Sequence, residues 1–211
     1  MALDRSALRL YLVTDTTLCG SFGVARTVAA AVKGGVTMVQ LRDKTATPKK
    51  RNELANALKT LLKGTGVPFI VNDDVETAIA VDADGVHVGQ DDTPAAVVRA
   101  RIGADKILGL SCETEETVRA AKQLPVDYLG LGPVFETGTK PDHKPPLSMD
   151  GLAKLCGVSG HPTVAIGGLS ASHATQVLQA GADGMAVVSA ICGQPDPAEA
   201  ARKISQHLKG A

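Results

Sequence analysis

Met38-Val39-Gln40-Leu41-Arg42-Asp43-Lys44, MVQLRDK in one-letter code, opens as a buried strand and closes in charge. Alternate side chains of an extended chain share a face, so Gln40, Arg42 and Lys44 fall on one side and Val39 and Leu41 on the other. An amide, a guanidinium and an ammonium along one face of a strand need a reason, because buried charges require partners. A barrel mouth supplies one: the polar face turns inward at the end of the strand, while Val39 and Leu41 pack against helices outside.

Similar short, β-branched-rich runs recur along the chain. Strands are expected at Leu10–Thr14, Met38–Arg42, Phe69–Asn72, Val86–Val88, Ile107–Leu110, Tyr128–Leu131, Thr163–Ile166 and Met185–Val188. Amphipathic stretches such as Arg51–Leu62, Ala95–Arg101, Glu115–Lys122 and Ala174–Ala180 separate them. Several close on glycine (Gly34-Gly35, Gly64, Gly103, Gly181), the sign of a left-handed helix cap before the next strand. Ala83-Asp84-Gly85 and Ala182-Asp183-Gly184 form a weak internal echo, each leading into a strand. Eight strand–helix units without hairpin signals predict an α/β fold, a single (β/α)8 TIM barrel spanning residues 1–211. A doubly wound open sheet is the alternative, but no GxGxxG follows the first strand.

In such barrels the chemistry sits at the C-terminal ends of the strands. There the sequence places Thr14-Asp15, then Gln40, Arg42 and Lys44, Asn72-Asp73, Gln90-Asp91-Asp92, Ser111, Thr137 with Thr139 and Lys140, Gly167-Gly168, and Ser189. Arg42, Lys44 and Lys140 can neutralise a polyanion. Asp73 and Asp92 offer hard oxygens of the kind Mg2+ takes when substrate phosphates complete its shell. Gly167-Gly168 and Val188-Ser189 occupy the usual phosphate position of these barrels. Together they suggest a metal-bound diphosphate near strands two to five and a monophosphate near strands seven and eight.

Blander readings compete at single positions. Arg42 by itself reads as a salt-bridge residue, and Asp73 or Asp92 as a helix cap. Gly167-Gly168 reads as a strand-to-helix turn, and Ser111 as a cap for the helix at Glu115. His87 fits a hydrogen-bonded core histidine better than a catalyst, and His143 a solvated loop residue. Cys112 beside Ser111 tempts towards a nucleophile, with no triad to support it. Gly138-Thr139-Lys140 fails the GxxxxGK[ST] order of a nucleotide loop. The long connection Gly132–Leu147 suits a binding lid, or else a disordered insertion.

Composition narrows the field. The 211 residues carry 22 Lys plus Arg against 22 Asp plus Glu, so no global field attracts nucleic acid or an anionic membrane. Aromatics are only 2%, which leaves little to stack on bases. Four scattered cysteines form no CxxC pair and favour a reducing, cytoplasmic setting. No apolar run is long enough for a bilayer, and the N-terminus lacks a signal-peptide core. Homo-oligomerisation stays open, with no exposed apolar stripe to argue for it.

In order, Tyr11-Leu12-Val13-Thr14-Asp15, Val39 to Lys44, Phe69 to Asp73, Gly85 to Asp92, Gly109-Leu110-Ser111, Gly130 to Pro133 with Thr137-x-Thr139-Lys140, Ala165 to Gly168 and Val188 to Ile191 resemble the thiamine phosphate synthase family. The resemblance covers almost the whole chain. It implies a (β/α)8 barrel that joins 4-amino-2-methyl-5-hydroxymethylpyrimidine diphosphate to 4-methyl-5-(2-hydroxyethyl)thiazole phosphate, giving thiamine phosphate and diphosphate. It further implies that Gln40, Arg42, Lys44, Asn72, Ser111 and Lys140 contact the pyrimidine diphosphate, with catalysis carried by Arg42, Lys44, Ser111 and Lys140. Mg2+ would lie on Asp73 and Asp92, and Thr137, Thr139, Gly167, Val188 and Ser189 would hold the thiazole phosphate. One departure is Glu113, where the family usually has His; beside a diphosphate an acid repels, unless it turns outward. Rival readings are a thiazole tautomerase-like isomerase, which needs no diphosphate clamp, and a phosphate-ligand sensor, which fold alone does not exclude.

Overall fold

The computed structural model describes residues 3–139 and 144–210. Eight parallel strands close into a barrel in sequence order: β1 (Leu10–Val13), β2 (Met38–Leu41), β3 (Phe69–Asn72), β4 (Gly85–Val88), β5 (Ile107–Cys112), β6 (Tyr128–Leu131), β7 (Thr163–Ile166) and β8 (Gly184–Val187). The ring closes where Tyr11 of β1 pairs with Ala186 of β8. The described helices are α1 (Thr16–Cys19), α2 (Val24–Lys33), α3 (Pro48–Leu62), α4 (Val75–Ala80), α5 (Ala95–Ile102), α6 (Glu115–Ala121), α7 (Ser148–Val158), α8 (Ala174–Gln179) and α9 (Pro197–Lys209). The expected strands are all present, shifted by a residue or two at some ends. None of the described helices is long and apolar enough to cross a membrane.

Local chemistry starts the helices where the sequence places it. Thr47 caps α3 ahead of Pro48, and Asp196 caps α9 ahead of Pro197. Thr114, not Ser111, caps α6, forming a reciprocal box with Thr117. Asp74 caps α4, so Asp73 does not, and Pro94 stands at the cap of α5, so Asp92 does not. Both carboxylates are thereby released from the bland reading.

The alternation of MVQLRDK divides two cores. Val39 and Leu41 are buried in the large layer between barrel and helices. Met38 joins Leu8, Tyr11, Val13, Ile70, Tyr128, Val164 and Ala186 inside the barrel. Gln40, 3% exposed, is also internal and bonds Tyr11. Burial of apolar side chains on both faces is what a parallel barrel requires.

The Ala-Asp-Gly echo has a structural cause. Asp84 accepts from the Phe69 N–H at 2.8 Å and Asp183 from the Thr163 N–H at 2.8 Å, each tying its own strand to the start of the one before. Asp127 does the same for Leu108 at 2.7 Å. Each also pairs with a cation, Lys59, Arg5 and Arg99 respectively. These ties hold the N-terminal end of the barrel and leave the other end for loops.

Candidate active site

At the C-terminal mouth one cleft collects nearly every residue singled out from the sequence. It is lined by Gln40, Arg42, Lys44, Asn72, Asp73, Asp92, Ser111, Thr137, Thr139, Gly167, Val188 and Ser189. Lys140 and His143 lie outside the described residues. Gln90 is not part of the lining; its amide bonds the Ser111 carbonyl at 2.6 Å.

The strand at β2 ends at Leu41, so Arg42 and Lys44 project from the loop beyond it. Thr14, at the end of β1, fixes that loop: its hydroxyl accepts from the Arg42 N–H at 3.1 Å. The Asp43 carboxylate folds the next turn by accepting from the N–H groups of Thr45 and Ala46. Among the described residues the Arg42 side chain makes no hydrogen bond or ion pair and faces the cleft half-buried. A guanidinium held there without a counter-charge is prepared for an anionic ligand.

Lys44 and the two aspartates form the charged wall. Lys44 Nζ lies 3.2 Å from Asp73 Oδ2. Asp73 sits at φ 60°, a left-handed conformation that non-glycine residues seldom adopt and that aims its side chain at the mouth. Asp92 is held by the Gly89 N–H at 2.7 Å. The carboxyls of Asp73 and Asp92 are close neighbours across the cleft wall. Burial and the neighbouring Asp92 carboxyl hold Asp73 above the ordinary carboxylate range, against the pull of Lys44. For Asp92 burial is outweighed by the hydrogen bonds from Asp73 and Gly89 and by Lys44, which hold it below that range. Two carboxylates in contact repel unless a proton or a cation lies between them, so the pair fits a divalent cation. No cluster of three or more His, Cys, Asp or Glu exists among the described residues, so a metal on this pair would have to draw most of its shell from substrate and water.

The opposite rim is built of backbone and hydroxyls. Gly167 and Gly168 have φ 101° and 64°, and a Cβ on Gly167 would stand 2.5 Å from Pro133 Cβ, so that turn admits only glycine. Val134 and Phe135 N–H groups bond the carbonyls of Ile166 and Gly167, which joins the loop after β6 to this rim. The Thr137 and Thr139 hydroxyls lie 2.8 Å apart on the same loop. The far end of the connection is tied back as well, Leu147 and Ser148 bonding Pro133 and Val134.

One expectation is refined by the structure and two are met. Glu113 does not turn away to the helix terminus; it lines the cleft and pairs with Lys144 at 3.4 Å. Cys112 is buried, and burial pushes its thiol up to about 11, which removes it as a nucleophile. His87 is buried and bonded through both ring nitrogens, to Tyr128 and Ser111, and burial pushes it down to about 4, so it is neutral near pH 7. Two residues not singled out from the sequence are Tyr11, which lines the cleft, and Tyr128, which lies behind it bonded to Tyr11 and His87. Their positions inside the barrel follow from alternation with the outward-facing Leu12 and Leu129, a signal the sequence contains.

Comparisons with known proteins bear on the family and the fold. Residues 10–191 match the family model described as thiamine monophosphate synthase. A thiamine-phosphate synthase of Azorhizobium caulinodans is 50% identical over 197 residues, covering 93% of each chain. One from Albidiferax ferrireducens is 47% identical over 200 residues, 95% of this chain and 91% of the other. Among solved structures, thiamine phosphate pyrophosphorylase from Pyrococcus furiosus superposes with a TM-score of 0.88 at 34% identity, over 98% of both chains. A barrel with this mouth, matched along nearly its whole length, belongs to the thiamine monophosphate synthase family.

Proposed function

We propose that the mouth of the barrel, a single domain, transfers the pyrimidinylmethyl group of 4-amino-2-methyl-5-hydroxymethylpyrimidine diphosphate, through its 5-methylene carbon, to the ring nitrogen of 4-methyl-5-(2-hydroxyethyl)thiazole phosphate. The enzyme is a transferase, and its products are thiamine phosphate and diphosphate. The observation that carries the assignment of the site is Arg42, unpaired among the described residues, beside the Lys44–Asp73–Asp92 cluster in one cleft. An isomerase acting on a thiazole phosphate alone has no use for that charge.

In the first step the bond from the methylene carbon to the diphosphate oxygen breaks, and its electron pair leaves with diphosphate. Arg42 and Lys44, with Lys140, meet the growing negative charge, a preorganised electrostatic effect. Ser111 and Asn72 donate hydrogen bonds on the same side, and Gln40 orients the pyrimidine. Asp73 and Asp92 would hold Mg2+, which would supply further positive charge opposite the leaving diphosphate. In the second step the thiazole nitrogen attacks the methylene carbon. That nitrogen carries no proton, so no general base is required. Thr137, Thr139, Gly167, Val188 and Ser189 hold the thiazole phosphate. The neutral His87 and the inert Cys112 agree with a site that lacks an acid–base pair. Four free cysteines are in keeping with work in a reducing cytoplasm.

Steady-state kinetics of Arg42→Ala test the reading. Loss of a charge-assisted contact to the leaving group lowers kcat/KM for the pyrimidine diphosphate by roughly 100-fold and leaves KM for the thiazole phosphate almost unchanged. Equal damage to both substrates would count against a diphosphate role for Arg42.

A further inference from the structure

Five polar side chains form one hydrogen-bonded chain through the inside of the barrel. Gln40 Nε2 donates to the Tyr11 hydroxyl oxygen at 2.7 Å. The Tyr11 and Tyr128 hydroxyls are 2.9 Å apart, the Tyr128 hydroxyl is 2.9 Å from His87 Nδ1, and His87 Nε2 is 2.9 Å from Ser111 Oγ. Gln40, Tyr11, Tyr128 and His87 are all buried, so no bulk water competes for these bonds.

The direction of the chain is fixed from one end. An amide nitrogen only donates, so the Tyr11 oxygen accepts and its own proton turns to Tyr128. The Tyr128 oxygen then accepts, and its proton points at His87 Nδ1, which must be bare. A neutral imidazole with a bare Nδ1 carries its proton on Nε2 and donates to Ser111 Oγ. The Ser111 proton is thereby directed away from the ring, into the cleft.

The strands are cut to make room for this chain. His87 of β4, Gly109 of β5 and Tyr128 of β6 are register partners in one layer. A Cβ on Gly109 would stand 2.2 Å from Tyr128 Cζ and 2.4 Å from His87 Nδ1. Gly130, the partner of Ser111, lies under the imidazole, its absent Cβ 3.2 Å from His87 Cε1. Glycine weakens a strand interior and is found where something must approach closely. Here the thing that approaches is the His87–Tyr128 pair.

We propose that Tyr11, Tyr128 and His87 form a directional relay whose purpose is to hold the Ser111 hydroxyl as a hydrogen-bond donor to the leaving group. His87 is a positioning residue that acts through Ser111, and the Ser111–His87 pair is not a nucleophile and its base. The opposite direction would place the proton on Nδ1, make Nε2 the acceptor and turn Ser111 towards activation. The inference rests on the pyrimidine-diphosphate reading of the cleft, but its direction is measurable without any substrate.

Nitrogen-15 spectra of histidine-labelled protein, with the His87 signals assigned by a His87→Gln sample, report the tautomer directly. The relay requires the Nε2–H form; an Nδ1–H form overturns it. Kinetics provide the second arm. Ser111→Ala and His87→Asn each lower kcat by roughly 100-fold, the value of one well-placed donor, and shift KM by less than about threefold. Because His87 acts only through Ser111, the double variant is no slower than Ser111→Ala alone. His87→Gln, whose amide nitrogen reaches the place of Nε2, recovers about tenfold of the loss in His87→Asn, on the scale of one restored neutral hydrogen bond. A double variant that multiplies the two single losses overturns the relay, since that is the signature of separate structural damage. An Nε2–H tautomer in a folded protein that forms no thiamine phosphate would leave the relay standing and remove the reaction assigned to the cleft.

Discussion

Lys44 Nζ stands 3.2 Å from Asp73 Oδ2, and the Asp73 carboxyl in turn neighbours that of Asp92. One ammonium between loop and strand end thus serves two acids that crowd each other. A lysine alone leaves the pair a net negative charge, which is the condition for recruiting a divalent cation. Asp73→Asn and Asp92→Asn are each expected to lower kcat/KM by about 100-fold at fixed Mg2+, equivalent to several kcal/mol of transition-state charge stabilisation. Raising Mg2+ recovers part of the loss. Rates close to wild type in both variants would remove the metal from these residues.

The room left by Gly109 sets a stability expectation. Gly109→Ala places a methyl against Tyr128 and His87 in the barrel interior, where neither can withdraw without breaking the hydrogen-bonded chain. Overpacking of this kind costs about 3 kcal/mol. Gly138→Ala, with nothing within 4 Å of the added methyl, stays within about 0.5 kcal/mol. Urea unfolding of the two variants, side by side, separates these outcomes.

The three aspartate ties at the opposite end of the barrel make a second stability prediction. Asp127→Ala removes both the acceptor for the Leu108 N–H and the partner of Arg99, leaving a buried donor without a bond. The expected cost is about 2 kcal/mol. Asp127→Asn keeps the acceptor and costs about half as much. Neither variant changes KM, because the tie lies at the end of the barrel away from the cleft. A KM shift in either one would contradict that separation.

Asp43 gives a pH test. Burial alone would raise its carboxyl, but the Ala46 and Thr45 N–H groups and the Thr16 and Thr45 hydroxyls outweigh it and hold the group below its ordinary 3.8. A carboxylate depressed in the folded state stabilises the fold fully above the unfolded value, and loses that contribution as pH falls through the folded one. The difference in urea midpoint between wild type and Asp43→Asn is therefore constant from pH 7 to about pH 5 and shrinks below about pH 4. A difference that grows on acidification would contradict the sign.

Much of this was legible in the sequence because a parallel barrel writes its layers as alternation. Val39 and Leu41 face helices while Gln40 faces the interior, as MVQLRDK alone implied. The candidate cleft was legible because barrels collect chemistry at strand ends, which turned twelve scattered positions into one lining. What the sequence hid is what depends on reach across strands. Nothing in Tyr128 announces that it crosses over Gly109 to His87, since that needs the register of three strands. The pairing of Glu113 with Lys144 was hidden likewise, because thirty intervening residues separate the two ends. The caps themselves, Asp74 and Thr114, were not separable in the sequence from the competing candidates Asp73 and Ser111, because several polar residues stand together there and only backbone angles decide.

The most direct measurement mixes the purified chain with the pyrimidine diphosphate and the thiazole phosphate, with Mg2+ or with a chelator, and counts diphosphate and thiamine phosphate together. The proposed chemistry gives one diphosphate per thiamine phosphate in the presence of Mg2+ and neither product with the chelator. Thiamine phosphate formed at an unchanged rate in chelator, or no diphosphate released by folded protein, would contradict it.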